Sequence, residues 1–172
     1  MMDERVEHEG GGVVIRQTTE ADWAALKQVR LAALLDAPTA FGVSHASAAA
    51  YTDAQWRDRA AGRGPARYIL AFPGAEAVGI VAHVPAAETD LNLIAMWVAP
   101  DWRGTSIAAQ LVDAVKACAI AQHRRRLLLD VSPENLPAST FYRKQGFVFL
   151  PEWEALESHP EIRVQKMEWR TA

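Results

Sequence analysis

Cysteine is almost absent: Cys118 is the single one in 172 residues. No disulfide can form within the chain, so stability must come from a packed core, and a reducing compartment fits this usage. A cationic excess is lacking too, because 18 Lys and Arg stand against 21 Asp and Glu, a net charge of -3. Duplex binders displace counterions with surplus cations, which argues against a nucleic-acid partner. Apolar runs are broken at His83, Pro85 and Asn92, and none approaches the roughly 18 residues of a membrane span. Residues 1–9, MMDERVEHE, are acidic and hold no apolar stretch, unlike a secretory signal or an Arg-rich transit peptide. The expectation is a cytoplasmic protein with no membrane partner and no bound metal.

What is present is apolar substance. Half of the residues are hydrophobic, enough for a sizeable core and too many for a disordered chain. At about 150 residues per domain the length predicts one domain over 13–172, behind a leader over 1–12 that ends in Gly10-Gly11-Gly12.

Periodicity then divides the chain. Val13 to Arg16 is short and β-branched, a first strand. Thr18 to Asp22 supplies hydroxyls and acids that open a helix carrying Trp23, Leu26, Val29, Arg30, Ala33 and Leu34, which Asp36-Ala37-Pro38 ends. One or two short helices fit Ala46 to Arg63. Tyr68–Phe72 and Ala77–Val84 read as a hairpin around Pro73-Gly74, and Leu91–Val98 as a further strand. Ile107, Leu111, Val115 and Cys118 share one helical face, which makes Cys118 an inert core thiol. Leu127 to Val131 is the apolar run of a strand buried on both sides. A helix over Pro137–Gln145 should stop at Gly146, with Phe147 closing over it. Phe147–Phe149 and Ile162–Trp169 read as two last strands joined by a polar loop containing Pro151 and Pro160. This order predicts an α/β mixture around a central sheet.

The stretch richest in chemical meaning is Trp97-Val98-Ala99-Pro100-Asp101-Trp102-Arg103-Gly104-Thr105-Ser106-Ile107-Ala108. It is a strand, a turn with Gly and small hydroxyl residues, and a helix whose first turn lacks bulk. Unpaired N–H groups and the positive dipole end make such a helix start a site for phosphate or pyrophosphate. An ordinary capped helix after a strand has the same look. Neither Walker A nor the dinucleotide fingerprint is matched, since no Gly-Lys-Ser/Thr follows and the three-glycine spacing is missing.

With these residues the sequence resembles the GNAT superfamily of N-acetyltransferases. Arg103-Gly104-Thr105-Ser106-Ile107-Ala108 is similar to the acetyl-CoA loop Arg/Gln-x-x-Gly-x-Gly/Ala, with Ser106 in place of the second glycine. Asn135, Ala138, Tyr142 and Gly146-Phe147 resemble the Asn-x-x-Ala-x-x-x-Tyr…Gly-Phe block. Arg30-Leu31-Ala32-Ala33-Leu34, Ala40-Phe41-Gly42 and Met96-Trp97-Val98 are similar to one bacterial branch of the superfamily.

The resemblance implies a mixed, mostly antiparallel sheet flanked by helices, with two splayed parallel strands, Leu91–Val98 and Leu127–Val131. It implies acetyl-CoA as cosubstrate, with Met96, Trp97 and Val98 offering backbone groups to pantetheine and the acetyl carbonyl. Residues Arg103, Gly104, Thr105, Ser106, Ile107 and Ala108 would cradle the pyrophosphate, and Asn135 would bond the pantetheine arm. Tyr142 matches the position that protonates the departing thiolate, and a phenol is neutral at pH 7; on its residues alone it reads as a half-buried aromatic of an amphipathic helix. The acceptor would be a primary amine of a small molecule or a peptide.

The general base stays open. Asn92 stands where the branch often has Glu, and an amide cannot take a proton from an ammonium group. Glu88, Asp90 and His83 are candidates that read equally as hairpin residues, Asp130 reads as a buried paired carboxylate, and water could relay the proton instead. Ser106 and Asn92 also admit a domain that binds CoA without catalysis. His123-Arg124-Arg125-Arg126 reads as a solvated helix end that complements the dipole, with a 3′-phosphate or polyanion contact as the alternative. A homodimer through the C-terminal strands, with Trp153 and Trp169 in the interface, is the assembly the resemblance admits.

Overall fold

A computed structural model describes residues 12–171, so the leader expected over 1–12 lies, Gly12 apart, outside the described residues. The strands are β1 (Val14–Gln17), β2 (Arg67–Phe72), β3 (Gly79–Ala86), β4 (Asp90–Val98), β5 (Arg126–Val131), β6 (Val148–Leu156) and β7 (His159–Arg170). They form one sheet in the order β1-β2-β3-β4-β5-β7-β6, in which the β4–β5 pair is parallel and every other pair antiparallel. This is the GNAT-type mixed α/β architecture that the sequence led us to expect.

Helices cover both faces. They are α1 (Trp23–Asp36), α2 (His45–Ala49), α3 (Asp53–Ala60), α4 (Ile107–Ala121) and α5 (Leu136–Lys144). A 3-10 turn over Glu20–Asp22 leads into α1, with the Thr19 N–H donating to the Asp22 carboxylate at 2.7 Å. Thr52 and Gln55 cap α3 reciprocally, at 3.1 and 2.8 Å, which satisfies two N–H groups that a helix start leaves orphaned.

On one face Leu91, Leu93, Leu127, Leu129 and Met167 pack against Ile107, Leu111 and Val115 of α4 and Tyr142 of α5. On the other, Leu70, Phe72, Ile80 and Trp97 meet Leu26, Val29 and Leu34 of α1 and Trp56 of α3. α4 lies unusually close to the sheet at Gly79. A Cβ there would stand 3.0 Å from Leu111 Cδ1, 3.3 Å from Ile107 Cγ2 and 3.4 Å from Ala71 Cβ. Gly146 ends α5 at φ +97° and Phe147 is buried behind it, as expected.

Three sequence expectations are corrected. The polar loop over 150–161 is instead a long hairpin, since β6 runs to Leu156 and β7 begins at His159. β6 is the sheet edge, where Pro151 costs no ladder bond, and it sits in the register irregularity between Phe149 and Trp153. The basic run is not a solvated helix end. Arg124 donates to the Glu88 carbonyl at 2.9 Å, and Arg126, inside β5, bonds Asp90 through Nε (3.1 Å) and Nη2 (3.2 Å) and Glu168 through Nη1 (2.9 Å). Finally, β5 is not buried on both sides along its length, because Asp130 is exposed and bonds Lys166 Nζ at 3.2 Å.

Candidate active site

β4 and β5 pair only over residues 90–92 and 126–128. Beyond that they diverge, so the facing edges of residues 93–98 and 129–131 have no strand partner. A bulge accompanies the divergence: Ile80 pairs Trp97 and Ala82 pairs Ile94, so Ala95 and Met96 together stand opposite Val81. Ala95 takes φ +61°, a left-handed conformation uncommon for a side-chain-bearing residue. The extra residue turns β4 away from its parallel neighbour. At the closed end, buried Asp90 is held by the Arg126 fork.

The opening holds a cavity of about 920 Å³. Met96, Asn92 and Asp130 belong to its strand walls, and Asn135, Ala138 and Tyr142 of α5 close one side. Arg30 of α1, the segment 39–43, and Glu154 and Glu157 of the last hairpin close the other. A hydrogen bond from Ser158 Oγ to the Phe41 carbonyl, 2.5 Å, ties the hairpin to that segment and fixes a roof.

Tyr142 is 8% exposed and packs edge-on against Phe141 and Phe147, with centroids 5.2 and 5.8 Å apart. Burial pushes its phenol well above the usual tyrosine range, so the hydroxyl keeps its proton at neutral pH. Asn135 uses its side-chain oxygen to cap α5 at the Ala138 N–H, 3.3 Å. Asn92 Oδ1 is buried without a hydrogen-bond partner among the described residues.

The loop before α4 is ordered by its own side chains. Arg103 donates from Nε to the Val98 carbonyl at 2.9 Å and from Nη2 to Asp36 at 2.6 Å. Asp36 also accepts from Trp97 Nε1 at 3.0 Å, and these two donors hold its carboxyl below the ordinary range. Thr105 Oγ1 donates to the Trp102 carbonyl at 2.6 Å and accepts from the Ile107 N–H at 3.3 Å; Ser106 Oγ accepts from Gln110 at 2.7 Å. Arg103 thus commits Nε and Nη2 and Thr105 its hydroxyl hydrogen inside the protein, whereas the Ser106 hydroxyl only accepts and keeps its own hydrogen to donate. The backbone N–H groups of Gly104, Thr105, Ser106 and Ala108 have no partner among the described residues. Gly104 sits at φ +82°, and a Cβ added there would meet nothing within 4 Å. Ser106 is at φ −82°, where a side chain is unstrained.

The model of the Acetyltransferase (GNAT) family matches residues 30–147, a span that contains the second half of α1, the splayed strands, the loop and α5. The chain belongs to the GNAT acetyltransferase family. A GNAT-family acetyltransferase of Streptococcus pneumoniae superposes with a TM-score of 0.76 at 20% identity, over 93% of this chain and 99% of that one. A ribosomal-protein-alanine N-acetyltransferase of Brucella melitensis gives 0.71 at 20% identity, over 91% and 99%. Salmonella typhimurium yncA, solved with its cofactor acetyl-CoA, gives 0.71 at 13% identity, over 93% and 94%. At these identities the structures speak for the fold alone. Curated protein sequences give no match.

Acetyl-CoA is the GNAT cosubstrate, and the chain's geometry fits it. The unpaired edge beyond Asn92 and the free N–H groups before α4 supply the donors, and Gly104 leaves open space beside them. The base candidates separate cleanly. His83 pairs Leu93 across the sheet and does not line the cavity; burial, then Arg67 and Arg124, keep its pKa low. Asp90 is locked to Arg126, and Glu88 is exposed outside the cavity. Asp130 lines the cavity but bonds Lys166. Sequence reasoning missed Glu154 and Glu157, which line the cavity without an ion pair among the described residues. It also missed the place of Arg30 on the wall, since only tertiary contacts bring these residues to the cleft. Trp153 is 46% exposed under Arg163, whereas Trp169 is half-buried beneath Lys116.

Proposed function

We propose that this GNAT protein is an acetyl-CoA-dependent N-acetyltransferase that acts on a primary amine of a small molecule or peptide by direct attack in a ternary complex. One observation carries the reading: the cleft between β4 and β5 opens into a cavity whose wall holds a buried, protonated Tyr142. Bound acetyl-CoA would supply a thioester carbonyl for the amine to attack.

The chain's own groups do the rest. The N–H groups of Gly104, Thr105, Ser106 and Ala108, at the positive end of α4, hold a pyrophosphate. The free edge of β4 near Met96 offers backbone groups to an extended arm lying along it. Tyr142 carries a proton for the departing sulfur. Its raised pKa does not defeat that role, because the same dry surroundings raise the proton affinity of a thiolate formed beside it. Glu154 and Glu157 give the acceptor's proton somewhere to go, directly or through water.

Thermal melts with acetyl-CoA, free CoA and ATP test the cofactor. At about 100 times Kd, binding adds roughly 2.7 kcal/mol, a rise of about 5–11 °C at this size. Amine-dependent release of CoA then tests transfer. Tyr142→Phe should lower kcat by about 100-fold or more while leaving the acetyl-CoA melt shift intact; equal turnover would remove the acid role. A non-catalytic CoA-binding domain is the second reading, favoured by Asn92 in the cavity, and acetyl transfer to any amine disposes of it.

A further inference from the structure

Arg30 is the unexplained charge of this cavity. It stands on the wall with Asn92 and Tyr142, its guanidinium carbon lies 4.9 Å from the centre of the Phe41 ring, and Nη1 is buried with no partner. No carboxylate forms an ion pair with it among the described residues, and burial lowers its pKa. A guanidinium stays charged under such burial, so the protein keeps an uncompensated cation beside an open space. The carboxylates of the same cavity, Glu154 and Glu157, belong to the hairpin and are not paired with it. The cavity therefore presents both signs, held apart.

Resting on the acetyltransferase reading above, we propose that Arg30 binds a carboxylate of the acceptor, and that the acceptor is a small zwitterion of the amino-acid type, with its ammonium toward Glu154 and Glu157. The acceptor ammonium loses a proton to the carboxylate side, its nitrogen bonds the acetyl carbon, the carbon–sulfur bond breaks as the sulfur takes the Tyr142 proton, and the second nitrogen proton returns to the Tyr142 phenolate, leaving the neutral amide. The products are an N-acetylated carboxylic acid, CoA thiol and one proton. A planar fork matched to a carboxylate explains why arginine, rather than lysine, occupies this wall. A peptide amino terminus has no such carboxylate beside its amine and leaves Arg30 unpaired.

The test compares the L-amino acids, their C-terminal amides, the parent primary amines and short peptides as acceptors, by CoA release and by melting temperature. The acids should exceed their amides roughly 10- to 100-fold in kcat/KM, as expected for loss of a charged hydrogen bond. They should also raise the melting temperature of the wild type where amides do not. Arg30→Met should abolish the preference, chiefly by raising KM for the acids, leave the acetyl-CoA melt shift in place, and raise the melting temperature of the free protein, since it removes a buried unpaired charge. Arg30→Lys should recover part of the preference. Amides, amines or peptides serving as well as acids would overturn the proposal, as would an intact preference in Arg30→Met. Absence of any effect of the acids on turnover or melting overturns it too. Failure of the acetyltransferase reading shows separately, as no melt shift with acetyl-CoA.

Discussion

Gly79 offers the most direct test of how the fold sets up the cofactor site. Replacing it with alanine puts a methyl carbon 3.0 Å from Leu111 Cδ1, 3.3 Å from Ile107 Cγ2 and 3.4 Å from Ala71 Cβ. Carbon atoms rest at about 3.5–4.0 Å, so Leu111 and Ile107 must give way, while Ala71 stays in ordinary contact. Leu111 is fully enclosed and Ile107 is 1% exposed, which leaves them no free direction. Overpacking of this kind costs about 1–3 kcal/mol. At the middle of that range, roughly 2 kcal/mol, the melting temperature falls by about 4–8 °C. Ile107 is the first residue of α4, so the displacement falls on the N–H groups proposed to hold the pyrophosphate. Acetyl-CoA affinity should therefore fall in the same variant. Leu111→Val removes the atom met at the shortest distance. The double variant should melt higher than the sum of the two singles predicts, a coupling of about 0.5–1 kcal/mol or more. A Gly79→Ala protein that melts with the wild type would refute the close-approach argument, and additive singles would refute the assignment to Leu111.

Three other perturbations follow from the structure. Asp90→Asn removes one of the two counter-charges of Arg126, leaving Glu168, at the closed end of the cleft and should cost about 2 kcal/mol, read as a lower urea midpoint. Ser106→Gly should change acetyl-CoA affinity less than about twofold and stability by a few tenths of a kcal/mol, because Ser106 already has ordinary backbone angles; a tenfold tighter complex would show that its Cβ crowds the site. The Asp22 carboxyl is held down at about 2, chiefly by the Arg16 guanidinium and also by the Thr19 N–H. Its folded pKa is depressed, so its contribution is whole above the unfolded value near 3.9 and disappears as pH falls toward 2. Screening at this solvent-facing pair keeps it below about 1 kcal/mol. The stability gap between wild type and Asp22→Asn should close between about pH 4 and 2 in urea titrations.

Most elements could be read in the sequence because their apolar periods are driven by burial. Leu91 to Val98, the α4 face and the Gly146 stop all depend on one local pattern each. β6 could not be read: all but its last residue are exposed or half-buried, so no alternation marks it, and Pro151 reads as a loop until the strand is known to be an edge. The bulge at Ala95 carries no glycine to announce its positive φ. In the site, Tyr142 and Asn135 were legible only through the resemblance of their helix to the Asn-x-x-Ala-x-x-x-Tyr block of the GNAT family. Arg30 and Glu154 line one cavity only because α1 and the last hairpin converge on it, which is a property of the tertiary fold. Arg103 shows the opposite limit, since a residue in the right place gave no hint that Asp36 and Val98 would claim its donors.

The three-residue contact between β4 and β5 has a mechanical consequence. β1 to β4 and β5 to β7 form two leaves joined at residues 90–92 and 126–128, with the ion pair of Arg126 to Asp90 as the pin. Opening motions need break little backbone bonding at the free end, so amide exchange should be fastest in residues 93–96 and 129–131 and slowest at the pin. A molecule lying in the cleft bridges both leaves, and its binding would stiffen the protein along the one line where its own sheet does not.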